Sequence, residues 1–352
     1  MFSIIKIIDY VYYLWKNLIL RLNCGIFIRE IMLQNPNQLM TEYNSPQLQW
    51  ERYSAIRTRP RRLVSDQENE GYFFPEVKQP ILIHPKLKNI SEEQKDYILI
   101  QSLFKYMNDI ANIEQDVINR AAYGITKDIY SYVFSPEIKR DALTIIIDET
   151  YHAYVALDFM YQISEYKSIK ILPLPKETEL SLSIVKLSEG LSDSQKLNFE
   201  LIAVAIAEHA LTTDLIDVAK SKGVSKIFYN VMHDHVLDEK RHANYFEKVL
   251  QIFWTALEEE DKRVIAPLLT KLINLYTSPF IQKEFDRSIL ISIQIPQEDI
   301  NIILDETHFG WRDDKLDEQN LIVRQMLALL KKAGVTEHEL VKTSFNNFGI
   351  NL

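Results

Sequence analysis

The chain has 352 residues, of which 47% are hydrophobic and only 8 are glycine; this length allows one large or two ordinary domains, and the composition favours helices over a turn-rich β fold. The formal net charge of −9 argues against a nucleic-acid partner. A single cysteine, Cys24, excludes an intrachain disulfide framework and is typical of a reducing compartment, so we expect a cytoplasmic location.

The first part of the chain, residues 1–45, reads as an N-terminal extension. It begins with many hydrophobic residues, but charged side chains such as Lys6, Asp9 and Arg21 interrupt them. No uncharged run therefore reaches the roughly 18 residues that a membrane span needs. An amphipathic helix that lies on the protein or on a membrane surface is the alternative to a plain extension. We expect residues 46–352 to form the main domain, without a membrane partner.

Four long helices are predicted next. Ser91 and Gln94 form the pattern of a capping box, and Ser135 with the following proline begins a second helix. Gly223 is a natural C-cap for the third. These helices are predicted at about residues 91–122, 135–166, 193–222 and 225–257, and shorter ones at about 259–276, 279–288, 316–333 and 336–344, the last opened by Thr336 and Glu339.

The strongest motif is His235-x3-Glu239-x2-His242, in the fourth of these helices. Spacings of four and three residues put the three side chains on one face of the helix. Two imidazoles and a carboxylate form a donor set that a non-haem iron or another transition metal accepts. The pattern is rare enough by chance to indicate a metal site.

A second pair with metal-ligand spacing, Glu149-x-x-His152, lies in the second long helix. Such a pair also occurs by chance, and its alternative interpretation is a solvated helix face. An aspartate precedes the glutamate of each motif, at Asp148 and at Asp238. Each aspartate is a candidate to accept a hydrogen bond from a ligand histidine on a facing helix, or is an exposed helix charge.

Two further glutamates complete the expected set. Glu208 follows the apolar run Leu201–Ala207, where a carboxylate is costly to bury unless it is paired or bound to metal. Glu114 borders the apolar stripe of the first long helix, where an ordinary boundary carboxylate is the alternative. A glutamate from each of two helices, with a Glu-x-x-His from each of two others, forms the di-iron site of a ferritin-like bundle. We therefore predict an all-α fold, a ferritin-like four-helix bundle with a di-iron site and additional flanking helices.

The chain resembles the p-aminobenzoate N-oxygenase family of di-iron enzymes in seven side chains: Glu114, Glu149, His152, Glu208, His235, Glu239 and His242. The segments Tyr72–Glu76 and Ile83–Pro85 resemble the stretch that precedes the family's helical domain. The resemblance covers about Trp50 to Arg312.

This resemblance implies two Fe ions held by the seven side chains, with His235 as a third histidine ligand that most ferritin-like di-iron proteins lack. It implies a monooxygenase that uses O2 and an external electron donor to oxidise a small-molecule primary amine. The amine would be an arylamine or amino-acid-like, and the product a hydroxylamine, nitroso or nitro compound of secondary metabolism. Tyr106 shares the face of Glu114 and would contact substrate, unless it is a core tyrosine. Arg312 falls where family members place a basic residue for a substrate carboxylate.

Three classes of function stay open on the sequence alone. They are the N-oxygenase, another di-iron oxidoreductase (a C–H hydroxylase, a desaturase or a ribonucleotide-reductase-like subunit), and a non-catalytic ferritin-like iron-binding protein. The third histidine favours the first. Asp214 stands where an amide is expected in arylamine-oxidising relatives; an acid there suits an ammonium and so an aliphatic or amino-acid-like amine, unless Asp214 lies off the pocket. The oligomeric state is open, and a homodimer is compatible with the sequence.

Overall fold

The computed structural model describes residues 43–65, 70–308 and 311–352, and the chain from Ser45 to Leu352 forms one compact unit. The predicted extension over residues 1–45 lies almost entirely outside the described residues. Its boundary and the alternative of an amphipathic helix therefore stay predictions.

The described chain consists of helices and turns, with two isolated β-bridges and no strand. Its α-helices in chain order are α1 (Trp50–Tyr53), α2 (Ala55–Thr58), α3 (Glu92–Ile113), α4 (Asn119–Lys127), α5 (Pro136–Lys167), α6 (Glu179–Leu187), α7 (Asp193–Ala219), α8 (Lys226–Ala256), α9 (Glu259–Tyr276), α10 (Phe280–Ser292), α11 (Gln297–Thr307), α12 (Leu321–Lys332) and α13 (Glu339–Asn347).

A serine side chain caps the N-terminus of each of the four long helices. Ser91 and Gln94 form the predicted capping box of α3, and the Ser135 hydroxyl caps the start of α5. The hydroxyls of Ser192 and Ser225 cap α7 and α8 in the same way. Each cap satisfies a main-chain N–H that has no partner within its helix and is worth about 1 kcal/mol.

The first long helix changes its winding at its candidate ligand. A π-helical turn, Glu114–Ile118, joins α3 to α4. A π turn holds more residues than an α turn and is frequent at functional sites, so the side chains after it are rotated relative to α3. The sequence predicts a regular helix here, because a single wide turn barely changes the hydrophobic period.

Four long helical segments form the bundle around the candidate site, and the first of them is α3 continued by α4. α7 packs along α8, α3 and α4 pack against α5, and α5 also contacts α8. Phe104, Phe159 and Phe228 are fully buried in the shared core, and each contributes roughly 1.5–3 kcal/mol through burial. The predicted all-α bundle with flanking helices is confirmed.

The segment before α3 is held against the start of α8. The Tyr72 N–H donates to the Gly223 carbonyl at 3.0 Å, and the Ser225 N–H donates to the Tyr72 carbonyl at 2.8 Å. Gly71 has a φ of +97°, and a Cβ there would lie 2.8 Å from the Gly223 carbonyl oxygen, so this close approach requires glycine. The contact places Phe73 in the core.

Some flanking helices differ from the sequence prediction. Helix α6, which begins after the N-cap Thr178, and helix α11 have no counterpart in the sequence prediction. Helix α13 begins at Glu339 after His338, so the predicted capping box of Thr336 with Glu339 is wrong. Thr336 is instead buried within a separate 3-10 turn.

One stretch, Glu259–Ser292, is long and apolar enough to cross a membrane by length and composition alone. It comprises the two helices α9 and α10, and 44% of its most apolar window is buried inside the protein. Core helices meet the same criterion, so this is weak support for a span.

Candidate metal centre

The structure brings the seven sequence-predicted metal ligands together from four parts of the bundle. None of the seven is more than 7% exposed. They come from the π turn (Glu114), from α5 (Glu149 and His152), from α7 (Glu208) and from α8 (His235, Glu239 and His242).

Glu239 lies at the centre of the cluster. Its Oε1 is 3.2 Å from His152 Nδ1, 3.1 Å from His235 Nε2 and 3.3 Å from His242 Nδ1. Glu114 approaches from the π turn, with Oε1 2.9 Å from His235 Nε2. All three imidazoles therefore direct a ring nitrogen at one carboxylate, which is the arrangement expected of a bridging ligand.

Glu149 and Glu208 close the other side. Glu149 Oε1 lies 2.9 Å from His242 Nδ1, and its Oε2 lies 3.4 Å from His152 Nδ1. Glu208 Oε1 is 3.9 Å from His242 Nδ1. The cluster thus continues from the Glu114 side to the Glu208 side through shared histidines.

Two groups of four side chains have donor atoms close enough to hold a metal ion, within 4.8 Å of one another. The first is Glu114, His152, His235 and Glu239; the second is Glu149, His152, Glu239 and His242. Glu208 adjoins the second group through His242. The two groups overlap in His152 and Glu239. A single imidazole nitrogen binds one ion whereas a carboxylate has two oxygens, so the geometry offers two adjacent metal positions between which Glu239 is the side chain that both ions could share.

The hydrogen bonds of the cluster are incomplete without a cation. Both oxygens of Glu208 and Oε2 of Glu114 are buried and make no hydrogen bond within the described residues. Glu149 Oε1 and His242 Nδ1 are also buried, and although they lie 2.9 Å apart they are not aligned for a hydrogen bond. Buried polar atoms without partners are costly. Four carboxylates would balance the charge of two divalent ions, and mixed oxygen and nitrogen donors favour a transition metal over magnesium or calcium. The residues present fit a di-iron centre.

Burial and mutual repulsion also perturb the protonation of the cluster. Burial raises the pKa of Glu114 to about 7, and burial with the Glu239 and Glu149 charges raises the pKa of Glu208 well above its ordinary value. Burial alone would lower the pKa of His235, but nearby carboxylates raise it to about 9. Without metal, protons on these groups hold the cluster together.

We expect the metal-free protein to lose thermal stability between pH 7 and pH 9. The pKa of His235 is raised from 6.5 to about 9, so its stabilising charge is fully present below 6.5 and is lost as the pH rises through 9. Glu114, whose pKa is raised from 4.5 to about 7, loses its contribution earlier, on the way to neutral pH. Melting curves should show a drop of at least about 2 °C, the effect of roughly 1 kcal/mol in a chain of this size.

The control is the melting curve of the metal-loaded protein, in which the metal ions replace the protons on the glutamates and histidines of the cluster. Its melting temperature should change less over the same range, and His235→Gln should flatten the loss in the metal-free protein. An unchanged or higher melting temperature of the metal-free protein at pH 9 would contradict this assignment.

The two aspartates that precede the ligand glutamates orient the ligand histidines, as predicted from the sequence. His152 Nε2 lies 3.0 Å from Asp238 Oδ2 on the facing helix, and His242 Nε2 lies 3.2 Å from Asp148 Oδ2. Nδ1 of both rings faces the cluster, so with a metal ion on Nδ1 the proton would be on Nε2, which would donate it to the aspartate. Such partners fix the tautomer and the orientation of a metal-binding histidine.

Residues before α3 hold these aspartates in turn. Trp50 Nε1 donates to both oxygens of Asp148 at 2.9 Å, and the Ala55 N–H donates to Asp238 Oδ2 at 3.0 Å. Arg241 bridges the two, bonded to Asp238 and 3.3 Å from Asp148. Trp50 could not be predicted as part of the site, because nothing in its local pattern links it to a helix almost 100 residues away.

A cavity of about 200 Å³ opens beside the cluster, and Glu114 and Glu239 form part of its wall. Tyr106 also lines it and donates to Asp214 Oδ2 at 3.3 Å. Asp214 therefore lies in the pocket, although Lys78 Nζ already pairs with it at 2.8 Å. Three further titratable residues of the lining, Asp109, Glu179 and Tyr276, are not among the residues predicted from the sequence.

Arg312 is not brought to this cavity. Its side chain is 63% exposed and pairs with Asp314 at 2.9 Å. It lines a separate surface depression with Lys315 and Asp317. The structure therefore gives it no contact with a molecule bound beside the cluster.

The family model described as P-aminobenzoate N-oxygenase AurF matches residues 59–308 of the chain. The matched region contains all seven clustered side chains. No curated protein matches the chain significantly.

Proposed function

The chain belongs to the p-aminobenzoate N-oxygenase AurF family, and from this premise we propose that it is a non-haem di-iron N-oxygenase. Its substrate would be a small-molecule primary amine, its co-substrate O2, and its product a hydroxylamine or a more oxidised nitrogen compound. The observation that carries the proposal is the buried cluster of four glutamates and three histidines, with its unpartnered donor atoms beside a cavity.

The seven side chains would hold two iron ions, which supply the activation of O2 and the transfer of one oxygen atom to the amine nitrogen. Formation of a hydroxylamine from a primary amine consumes O2, two electrons and two protons and releases water. An external electron donor is therefore part of the proposal.

The remaining residues position and shield the reaction. Asp148 and Asp238 would keep the proton of His242 and of His152, respectively, on the nitrogen that faces away from the cluster. Burial of the cluster excludes water, which strengthens electrostatic interactions inside. Tyr106 would contact the substrate in the cavity, where its hydroxyl is directed at Asp214. Arg312 has no part in this scheme because of its position on the surface.

The test is anaerobic loading with iron, followed by O2, a chemical reductant and a panel of arylamines, aliphatic amines and amino acids, with products identified by mass. We expect a product that has gained oxygen on nitrogen. The control variant is Glu247→Ala, because Glu247 lies on α8 but pairs with Lys332. It should form as much product as the parent chain.

Two outcomes would exclude the N-oxygenase. Oxygen inserted into C–H bonds with amines unchanged would favour a di-iron hydroxylase. Iron uptake without any oxidised product, in a large cage-like oligomer, would favour storage.

A further inference from the structure

The cavity beside the cluster is lined by acids at both of its ends. Glu114 and Glu239 belong to the metal cluster, whereas Asp109, Glu179 and Asp214 lie away from it. No lysine or arginine belongs to the described lining. A bound carboxylate would therefore meet only like charges on the cavity wall.

The charges near this far end do not cancel. Asp109 pairs with Lys105 at 2.5 Å, and Asp214 pairs with Lys78 at 2.8 Å. Glu179 forms no ion pair within the described part of the chain; its Oε1 accepts the Gln282 N–H at 3.2 Å. Lys78 is also shared with Asp217 at 2.8 Å, so the two ammonium groups do not balance the carboxylates around them. Within the described residues, Glu179 is the one of the three far acids without an ion pair.

Glu179 is placed to keep that charge. It is the first residue of α6, and the N-terminal end of a helix stabilises an anion. Asp109, Glu179 and Asp214 line the same cavity as the half-buried Tyr276. Burial and then the nearby charge of Glu179 raise the pKa of Asp109 to about 6, against the opposing effect of Lys105. A partly buried, uncompensated carboxylate strongly favours a cationic partner.

The rest of the cavity suits an alkyl chain. Ile110, Ile113, Leu180 and Leu211 contribute apolar surface between the two acidic ends. Asp109 precedes Glu114 by five residues, which is about 7.5 Å along a helix at 1.5 Å per residue. Bonds of about 1.5 Å in an extended alkyl chain advance it by about 1.25 Å each. The six bonds between the two nitrogen atoms of a five-carbon diamine therefore span about the same distance.

We propose that the cavity binds a doubly basic alkylamine, with one amine at the metal cluster and the second, as an ammonium, on Glu179 beside Asp109 and Asp214. The identity of the amine at the cluster as the oxidised group rests on the proposed N-oxygenase function. The amine that reacts must be neutral, because its lone pair takes the oxygen atom. The distant amine stays protonated and takes no part in the chemistry.

The experiment measures binding rather than turnover, by titration calorimetry on the full chain, both metal-free and loaded with Zn(II), which accepts the same donors without redox chemistry. The probes are the five-carbon diamine cadaverine, pentylamine, aminovalerate and p-aminobenzoate. Cadaverine should bind at least roughly tenfold more tightly than pentylamine, which is the effect of one hydrogen-bonded charge. Aminovalerate and p-aminobenzoate should bind more weakly than pentylamine.

The variant Glu179→Gln should reduce the affinity for cadaverine about tenfold and leave that for pentylamine unchanged. Asp109→Asn provides a second variant with the same direction. The matched control is Asp217→Asn, because Asp217 pairs with the same Lys78 at 2.8 Å but is 57% exposed and lies outside the lining; it should bind cadaverine as the parent does.

Equal affinities for cadaverine and pentylamine, a preference for either acid, or full cadaverine affinity in Glu179→Gln would each overturn the proposal. The two hypotheses fail separately. Tight cadaverine binding without a hydroxylamine product in the iron-loaded enzyme would retain this site and reject N-oxygenation. Oxidation of p-aminobenzoate without cadaverine binding would do the reverse.

Discussion

Replacing Glu239 with alanine should remove both metal ions from the bundle. Glu239 Oε1 is within 3.3 Å of a ring nitrogen of His152, His235 and His242, and Glu239 belongs to both groups of potential ligands. Its loss removes one donor and one negative charge from each position. Loss of a residue that only hydrogen-bonds to a metal ligand typically costs about 10–100-fold in metal affinity. We therefore expect the loss of Glu239, itself a ligand, to reduce the metal affinity at least about 100-fold.

The measurement is metal analysis after anaerobic iron loading and dialysis, which should give about two equivalents for the parent chain and close to none for Glu239→Ala. Glu247→Ala is the matched control, since Glu247 lies on the same helix but pairs with Lys332 and belongs to neither group of potential ligands. Retention of two ions by Glu239→Ala at unchanged affinity would show that the metal positions lie elsewhere.

Replacing His235 with alanine should instead affect one position. His235 belongs only to the group that contains Glu114, whereas the group of Glu149 and His242 lacks it. We therefore expect a folded protein that keeps one ion firmly and binds the second about 10–100-fold more weakly. Competition with a chelator of known affinity would resolve the two binding steps.

His233→Ala is the control for this variant. His233 lies two residues earlier on α8 but stacks on Tyr229, with ring centroids 5.6 Å apart. It should bind two ions as the parent does. If His235→Ala also binds two ions with parental affinity, the centre uses two histidines, and the distinguishing feature of the family is absent from this chain.

The sequence predicted the parts of this structure that depend on local spacing. The motif His235-x3-Glu239-x2-His242 has a helical period, so its convergence on one face follows from helix geometry alone. The serine caps gave the starts of α3 and α5 for the same reason, because a capping hydroxyl acts within three residues.

Features that depend on contacts between distant segments were not predictable. The π turn at Glu114–Ile118 adds about one residue to a single helical turn. A hydrophobic period averaged over a whole helix does not resolve so small a change. Glu179 and Tyr276 reach the cavity through the packing of α6 and α9 against the bundle. Their own neighbourhoods carry no signal of that position.

The aspartates that orient the ligand histidines are held partly by residues that precede the part of the chain matched by the family model, which begins at residue 59. Trp50 donates to Asp148, and the Ala55 N–H donates to Asp238. A shortened chain that starts at residue 59 would keep every predicted metal ligand. It would lose the two donors that hold Asp148 and Asp238, the aspartates that orient the ligand histidines. The segment that identifies the family is thus shorter than the segment that supports the metal centre. A design that transfers the centre to another protein should include the residues before position 59 as well.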